Sequence, residues 1–174
     1  MNLLIIRMYK KYFIVLILVV SVLFSGCHIY SFTGASYGDA KTVSIAYFEN
    51  RATYVNPSLS RTFTEKLKDR FVSQTPLALV AKGGDLVFEG EIVDYMITPV
   101  NILAGETAAS NRLTITVKVR FTNETAPDND FEKTFSRYAD YPMAQNLSSI
   151  EAGLVEEISI LLIDDIFNDS VVNW

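Results

Sequence analysis

The chain has 174 residues, 49% hydrophobic and 12% aromatic, with 15 Lys and Arg against 20 Asp and Glu, a formal charge of −5. A single cysteine, Cys27, excludes an internal disulfide framework, and a single histidine, His28, leaves little material for general-base or metal chemistry. The acidic balance argues against nucleic acid as a partner, because its recognition needs a basic footprint.

Arg7, Lys10 and Lys11 precede an apolar run from Tyr12 to Phe24, broken only by Ser21. About a dozen residues is the length of a secretory h-region and falls short of the roughly 20 that span a bilayer as a helix. Leu23-Phe24-Ser25-Gly26 then leads into Cys27. That order resembles a bacterial lipoprotein signal, so residues 1–26 read as a leader and Cys27 as the acylated first residue after cleavage. An uncleaved anchor, or an ordinary signal peptide with a chance cysteine, are the alternatives. Removing 26 residues leaves 148, with 12 basic and 20 acidic side chains and a formal charge of −8. That length is one domain's worth. With so acidic a body the acyl chains must supply the membrane affinity, at about 0.8 kcal/mol per buried methylene. Residues 27–40 read as lipidated cysteine and tether, with no acid before Asp39. The absence of an early acidic run favours the periplasmic face of the outer membrane.

Residues 41–174 carry the folded elements. Thr42 to Phe48 alternates Val43, Ile45 and Tyr47 with small residues, the period of a strand. Asn56-Pro57 opens a helix, in which Leu59, Phe63, Leu67 and Phe71 recur every four positions until Pro76 ends it. Leu77 to Ala81 predicts a short strand, and Lys82-Gly83-Gly84-Asp85 a hairpin turn into a longer strand, Leu86 to Thr98. In that strand Leu86, Phe88, Ile92 and Met96 share one side, and Gly90 marks a bulge or a close approach. Asn101 to Ser110 reads as a loop. Arg112 to Thr122 is the cleanest strand: Leu113, Ile115, Val117, Val119 and Phe121 face one way, and Thr114, Thr116, Lys118 and Arg120 the other. After a turn at Pro127, Phe131 to Tyr138 returns as a strand. Ser148-Ser149-Ile150-Glu151 reads as a capping box opening a last helix with a stripe of Ile150, Leu154, Ile158 and Ile166.

The order β-α-β-β-β-β-α predicts an α+β fold, with two helices packed on one face of a mostly antiparallel sheet of four to five strands. The other face and the edges are then the candidate binding surface.

Catalytic constellations are missing from the sequence. Cys27, once acylated, is no nucleophile, and His28 beside it belongs to the tether. Gly83-Gly84 lacks the neighbours of a phosphate-cradling loop. Glu89 and Glu91 share a strand face by parity, with Asp94 on the opposite one, and solvated or ion-paired acids are the simplest reading. Glu156-Glu157 and Asp164-Asp165 read as the wet side of the last helix. The chain reads as a non-enzyme with no cofactor and no metal. Arg112, Lys118 and Arg120, aligned on one strand face, could offer cations to a phosphorylated ligand; an ordinary wet sheet face is the equal alternative.

Tyr30-Ser31-Phe32-Thr33-Gly34-Ala35-Ser36, Phe48-Glu49-Asn50-Arg51-Ala52, Asn56-Pro57-Ser58-Leu59-Ser60, and Asp164-Asp165-Ile166-Phe167-Asn168 with the ending Asn173-Trp174 resemble the LptE family of lipopolysaccharide-assembly lipoproteins. The resemblance implies an outer-membrane lipoprotein that lodges inside the LptD translocon barrel, plugs its lumen, helps it assemble and binds lipopolysaccharide. It implies no covalent step, and leaves Arg112, Lys118 and Arg120 as candidates for lipopolysaccharide contact. The strand running into Phe48-Glu49-Asn50 before an amphipathic helix also resembles CsgG- or LpoB-like periplasmic lipoproteins, which build secretion pores or stimulate a cell-wall synthase. A glycan-binding or purely structural envelope lipoprotein ranks third.

Overall fold

The computed structural model describes residues 38–54, 56–100 and 109–172. The leader, Cys27, most of the tether, most of the Asn101–Ser110 loop and the terminal Asn173-Trp174 lie outside those residues.

Among the described residues six strands and two long helices follow in the order β1 (Thr42–Ile45), β2 (Glu49–Asn50), α1 (Leu59–Gln74), β3 (Ala78–Val80), β4 (Leu86–Val100), β5 (Ser110–Asn123), β6 (Phe131–Pro142) and α2 (Leu147–Val171). The sheet runs β3-β1-β4-β5-β6, with β2 continuing the β1 track along β4. β4, β5 and β6 form an antiparallel meander. β3, β1, β2 and β4 are parallel, so the sheet is mixed.

The predicted hairpin at Lys82–Asp85 is therefore not one. β3 and β4 run the same way on opposite sides of β1, with Ser44 level with Val80 and Val43 level with Leu86. The short link must pass over β1 itself. A Cβ on Gly84 would stand 2.6 Å from the Ser44 nitrogen and 2.8 Å from the Val43 carbonyl carbon, so only glycine lets the backbone lie this close. Asp85 then closes the crossing. Its Oδ2 accepts from Lys41 N–H at 2.8 Å, Thr42 N–H at 2.9 Å and Thr42 Oγ1 at 2.9 Å. These bonds, led by that from Lys41, hold the Asp85 carboxyl below its ordinary pKa.

Both helices cover one face. α1 packs on β1, β2 and β3, α2 packs on β5 and β6, and the helices pack on each other. The predicted stripe Leu59, Phe63, Leu67 and Phe71 is fully buried, as are Leu113, Ile115, Val117, Val119 and Phe121 of β5. A row of rings crosses the core: Phe167 to Phe71 at 5.1 Å, Phe71 to Phe88 at 4.7 Å, Phe88 to Phe121 at 4.8 Å and Phe121 to Phe131 at 5.2 Å. Each such aromatic buries a large apolar area and adds about 0.5–1.5 kcal/mol from ring geometry. Gly90 fits the close-approach reading, since a Cβ there would meet the Phe48 ring and the Lys118 carbonyl oxygen at 2.5 and 2.3 Å.

Two expectations of parity fail for one reason. A register shift between Ile92 and Asp94 marks a β-bulge in β4. One extra residue exchanges inward and outward positions beyond it. Tyr95, not Met96, turns into the core: Tyr95 is 4% exposed and Met96 46%. Asp94 pairs in register with Thr116, which puts it on the same face as Glu89 and Glu91, not the opposite one.

The helix starts differ in detail as well. The Asn56 side chain does cap α1, accepting from Ser58 N–H at 2.9 Å and Leu59 N–H at 3.1 Å. At α2 the cap is Asn146, whose side chain accepts from Ser148 N–H. Glu151 is released from the expected capping box because it bonds elsewhere. Its Oε1 accepts from the Tyr95 hydroxyl at 2.6 Å and from Asn56 Nδ2 at 2.8 Å, joining β4 to the starts of both helices. Burial first, and then the Glu151 carboxylate, push the Tyr95 phenol well above its ordinary pKa, so it stays a neutral donor.

Candidate functional site

The face of the sheet turned away from the helices is built from alternate residues of β4, β5 and β6. On β5, Arg112, Thr114, Thr116, Lys118 and Arg120 stand in one row, as the alternation predicts. Sequence reasoning missed what stands opposite them. Register places Asp140 across from Arg112, Ser136 across from Thr116 and Glu132 across from Arg120.

Each cation is bound. Arg112 makes a two-pronged pair with Asp140, Nε to Oδ1 at 2.7 Å and a terminal nitrogen to Oδ2 at 2.9 Å, and its guanidinium lies 3.6 Å above the Tyr138 ring. Planar Arg recognition of this kind is geometrically specific. Lys118 Nζ lies 2.5 Å from Glu132 Oε1, and Arg120 donates to Glu132 Oε2 at 2.9 and 3.1 Å. The Thr116 and Ser136 hydroxyls meet at 3.0 Å between them. Hydrogen bonds from Lys118 and then Arg120 hold the Glu132 carboxyl below its ordinary pKa, and Arg112 does the same to Asp140. Lys118 and Arg120 lean toward β6 although Glu91 and Glu89 of β4 are their register partners on the other side.

The structure thus brings Lys118 and Arg120 together, with Glu89, Gly90, Glu91 and Glu132, around a shallow cleft of about 240 Å³. Arg112 stands apart at the far end of the row. Acids outnumber bases on this face: Glu89, Glu91, Asp94, Glu132 and Asp140 against Arg112, Lys118 and Arg120. Such a wall presents alternating charges and hydroxyls. Among the described residues no group of three or more His, Cys, Asp or Glu side chains is placed to hold a metal ion, and no helix is long and apolar enough to cross a membrane. The alternation of Phe131 to Asp140 was the signal that could have revealed the β6 acids, once β5 and β6 were aligned through their turn.

The architecture is that of an α+β domain with both helices on one face of a mixed sheet and a polar, cross-paired face opposite them. The family model for LptE, described as lipopolysaccharide-assembly, matches residues 40–170. The chain belongs to the LptE family. No curated protein matches it. Among solved structures it is similar to the protein CT253 of Chlamydia trachomatis, with a TM-score of 0.52, 10% identity, and coverage of 75% of this chain and 98% of that one. It is also similar to a neuraminyllactose-binding hemagglutinin homolog of Helicobacter pylori, with a TM-score of 0.52, 8% identity, and coverage of 75% and 83%. At these identities the likeness is one of fold alone.

Proposed function

We propose that this chain is a non-enzymatic, lipid-anchored protein of the outer membrane that partners and plugs an LptD-type translocon barrel and binds lipopolysaccharide on its way to the outer leaflet. The observation that carries the reading is membership of the LptE lipopolysaccharide-assembly family over residues 40–170. In this reading residues 1–26 are removed, Cys27 carries the acyl chains, residues 27–40 form the tether, and 41–174 form the domain that enters the barrel. A barrel lumen of this class is polar and wet. The cross-paired face of β4, β5 and β6 suits it, because its ion pairs and hydroxyls offer hydrogen-bonding groups to such a lining.

Arg112, Lys118 and Arg120 remain the residues proposed to meet lipopolysaccharide phosphates. Their present carboxylate partners set the terms. A phosphate would take over the Lys118 and Arg120 donors from Glu132 and would have to outcompete it. Replacing all three by alanine should weaken lipopolysaccharide binding most at low salt. Unchanged affinity at low salt would remove them from the proposal.

The decisive experiment is affinity purification of the tagged full-length chain from its native envelope in mild detergent, with mass identification of partners. Recovery of one large outer-membrane barrel in equal amount supports the reading. A ring of the chain itself, as for a CsgG-like pore, or a cell-wall synthase, as for an LpoB-like activator, would replace it.

A further inference from the structure

Two arginines on the open sheet face are met by carboxylates in different ways. Asp140 answers Arg112 atom for atom, with one oxygen accepting from Nε and the other from a terminal nitrogen. Glu132 offers no such match, because it serves two cations. Its Oε1 lies 2.5 Å from Lys118 Nζ, and its Oε2 accepts from both Nε and a terminal nitrogen of Arg120, at 3.1 and 2.9 Å. Three donor nitrogens converge on two oxygens, and two positive charges on one negative.

The neighbouring acids do not correct this mismatch. Glu91 and Glu89 of β4 stand level with Lys118 and Arg120, yet among the described residues both cations pair with Glu132. All five side chains border the cleft of about 240 Å³. Lys118, Arg120 and Glu132 are exposed, and ion pairs in water are weak and screened by salt. Glu132 is therefore held in place but displaceable.

A phosphate monoester supplies what Glu132 lacks. It has three non-bridging oxygens, one for each of the three nitrogens, and near neutral pH it carries a charge of about −1.5 to −2. A sulfate ester has the same three oxygens with a single charge. A second carboxylate has neither advantage over Glu132.

We infer that the Glu132 carboxylate is a resident competitor in an oxyanion subsite formed by Lys118 and Arg120, and that it sets the affinity threshold a lipopolysaccharide phosphate monoester crosses and a singly charged anion does not. The subsite rests on the proposed contact of these cations with lipopolysaccharide phosphates, to which Glu132 adds the regulating group. A competitor divides the affinity of every anion by one factor, the fraction of time the cations are free. It leaves the ranking of anions alone and decides which of them bind at a given concentration. Glu89 and Glu91 act only through the field, because neither occupies the donors.

The test uses the full chain in detergent micelles at low salt and about pH 7.5, where a phosphate monoester is largely dianionic. The probes are diphosphoryl lipid A, N-acetylglucosamine phosphate and N-acetylglucosamine sulfate, followed by chemical shifts of the Lys118 and Arg120 side-chain nitrogens. Lipid A should bind more tightly than the sugar phosphate, and the sugar phosphate more tightly than the sugar sulfate. Glu132→Gln should tighten all three by about fivefold and keep their order. Glu91→Gln removes the same charge from the same face, and should tighten them by less than about twofold. Equal gains from the two glutamine variants would overturn the competitor and make Glu132 one more charge in the field. An unchanged lipid A affinity in Glu132→Gln, with a loss in the Lys118→Ala, Arg120→Ala double variant, would overturn the competitor and leave the lipopolysaccharide contact standing. Lipid A binding indifferent to all these substitutions would overturn both. A sugar phosphate that binds as tightly as lipid A would overturn the lipid source and assign the subsite to a soluble phosphate.

Discussion

The two faces of β5 are made by the same eleven-residue alternation, Arg112 to Thr122, yet they are held together by different physics. On the helix side Leu113, Ile115, Val117, Val119 and Phe121 are fully buried, with the Phe121 ring set between Phe88 of β4 and Phe131 of β6. On the other side the same strand is stitched to β6 by ion pairs and hydroxyls in water. Burial is proportional to area and acts at any salt concentration. Exposed pairs are screened, and the ordering of long side chains offsets much of their attraction. Stability should therefore reside on one face, leaving the other free to be remodelled by a partner.

The largest effect expected from that contrast is at Phe88, which touches both Phe71 and Phe121. Phe88→Ala should cost about 3–5 kcal/mol, read as a lower urea midpoint with an unchanged slope. A loss below 1 kcal/mol would show that the ring row is not the core. Next comes Gly90→Ala, which forces a methyl against the Lys118 carbonyl and the Phe48 ring and should cost about 1–3 kcal/mol by overpacking. Equal stability would mean that β4 can shift away from Phe48. Tyr95→Phe removes one of the two donors to Glu151 and should cost about 1–2 kcal/mol in the same unfolding measurement.

The smallest effects belong to the exposed face. Glu132→Gln should move the thermal midpoint little at neutral pH in high salt. Its signature lies in acid. Glu132, Asp140, Asp85 and Glu156 are all held below their ordinary pKa by bonds to the charged form, for Glu156 from Lys66. The unfolded chain thus binds more protons than the folded one in the range between the two sets of pKa values. Stability from these groups is present above the ordinary carboxylate range and is lost as pH falls through the lowered values. A scan of midpoint against pH should show that decline, and Glu132→Gln should flatten part of it. An unaltered profile would mean that Lys118 and Arg120 do not hold Glu132 in solution.

Much of this fold is legible from the residues alone. The β5 alternation and the four-residue spacing of Leu59, Phe63, Leu67 and Phe71 report burial directly, because they count against a helix or strand period. What was not legible depends on residues distant in sequence. The Gly83-Gly84-Asp85 run has hairpin composition, but glycine serves equally where one backbone crosses another, and only the β1 pairing tells the two apart. A bulge leaves no composition signal at Val93, so parity alone puts Met96 and Asp94 on the wrong faces. Glu151 matches a capping box locally and is taken instead by Tyr95, 56 residues away. Arg112, Lys118 and Arg120 were correctly aligned on one face, while the acids that bind them required the β5–β6 register.

The crossing of the Gly83–Asp85 link over β1 also has a mechanical meaning. β1 is clamped along both sides by parallel neighbours, and its first residues hang from the Asp85 carboxylate. Tension arriving through the segment that leads into Lys41 runs along the strand axis. It must break the two ladders and the Asp85 bonds together in shear, not peel them one at a time. A chain held from its N-terminal side is in this way tied down at the start of its own sheet, and a pull from that side would be borne by a strand paired on both sides.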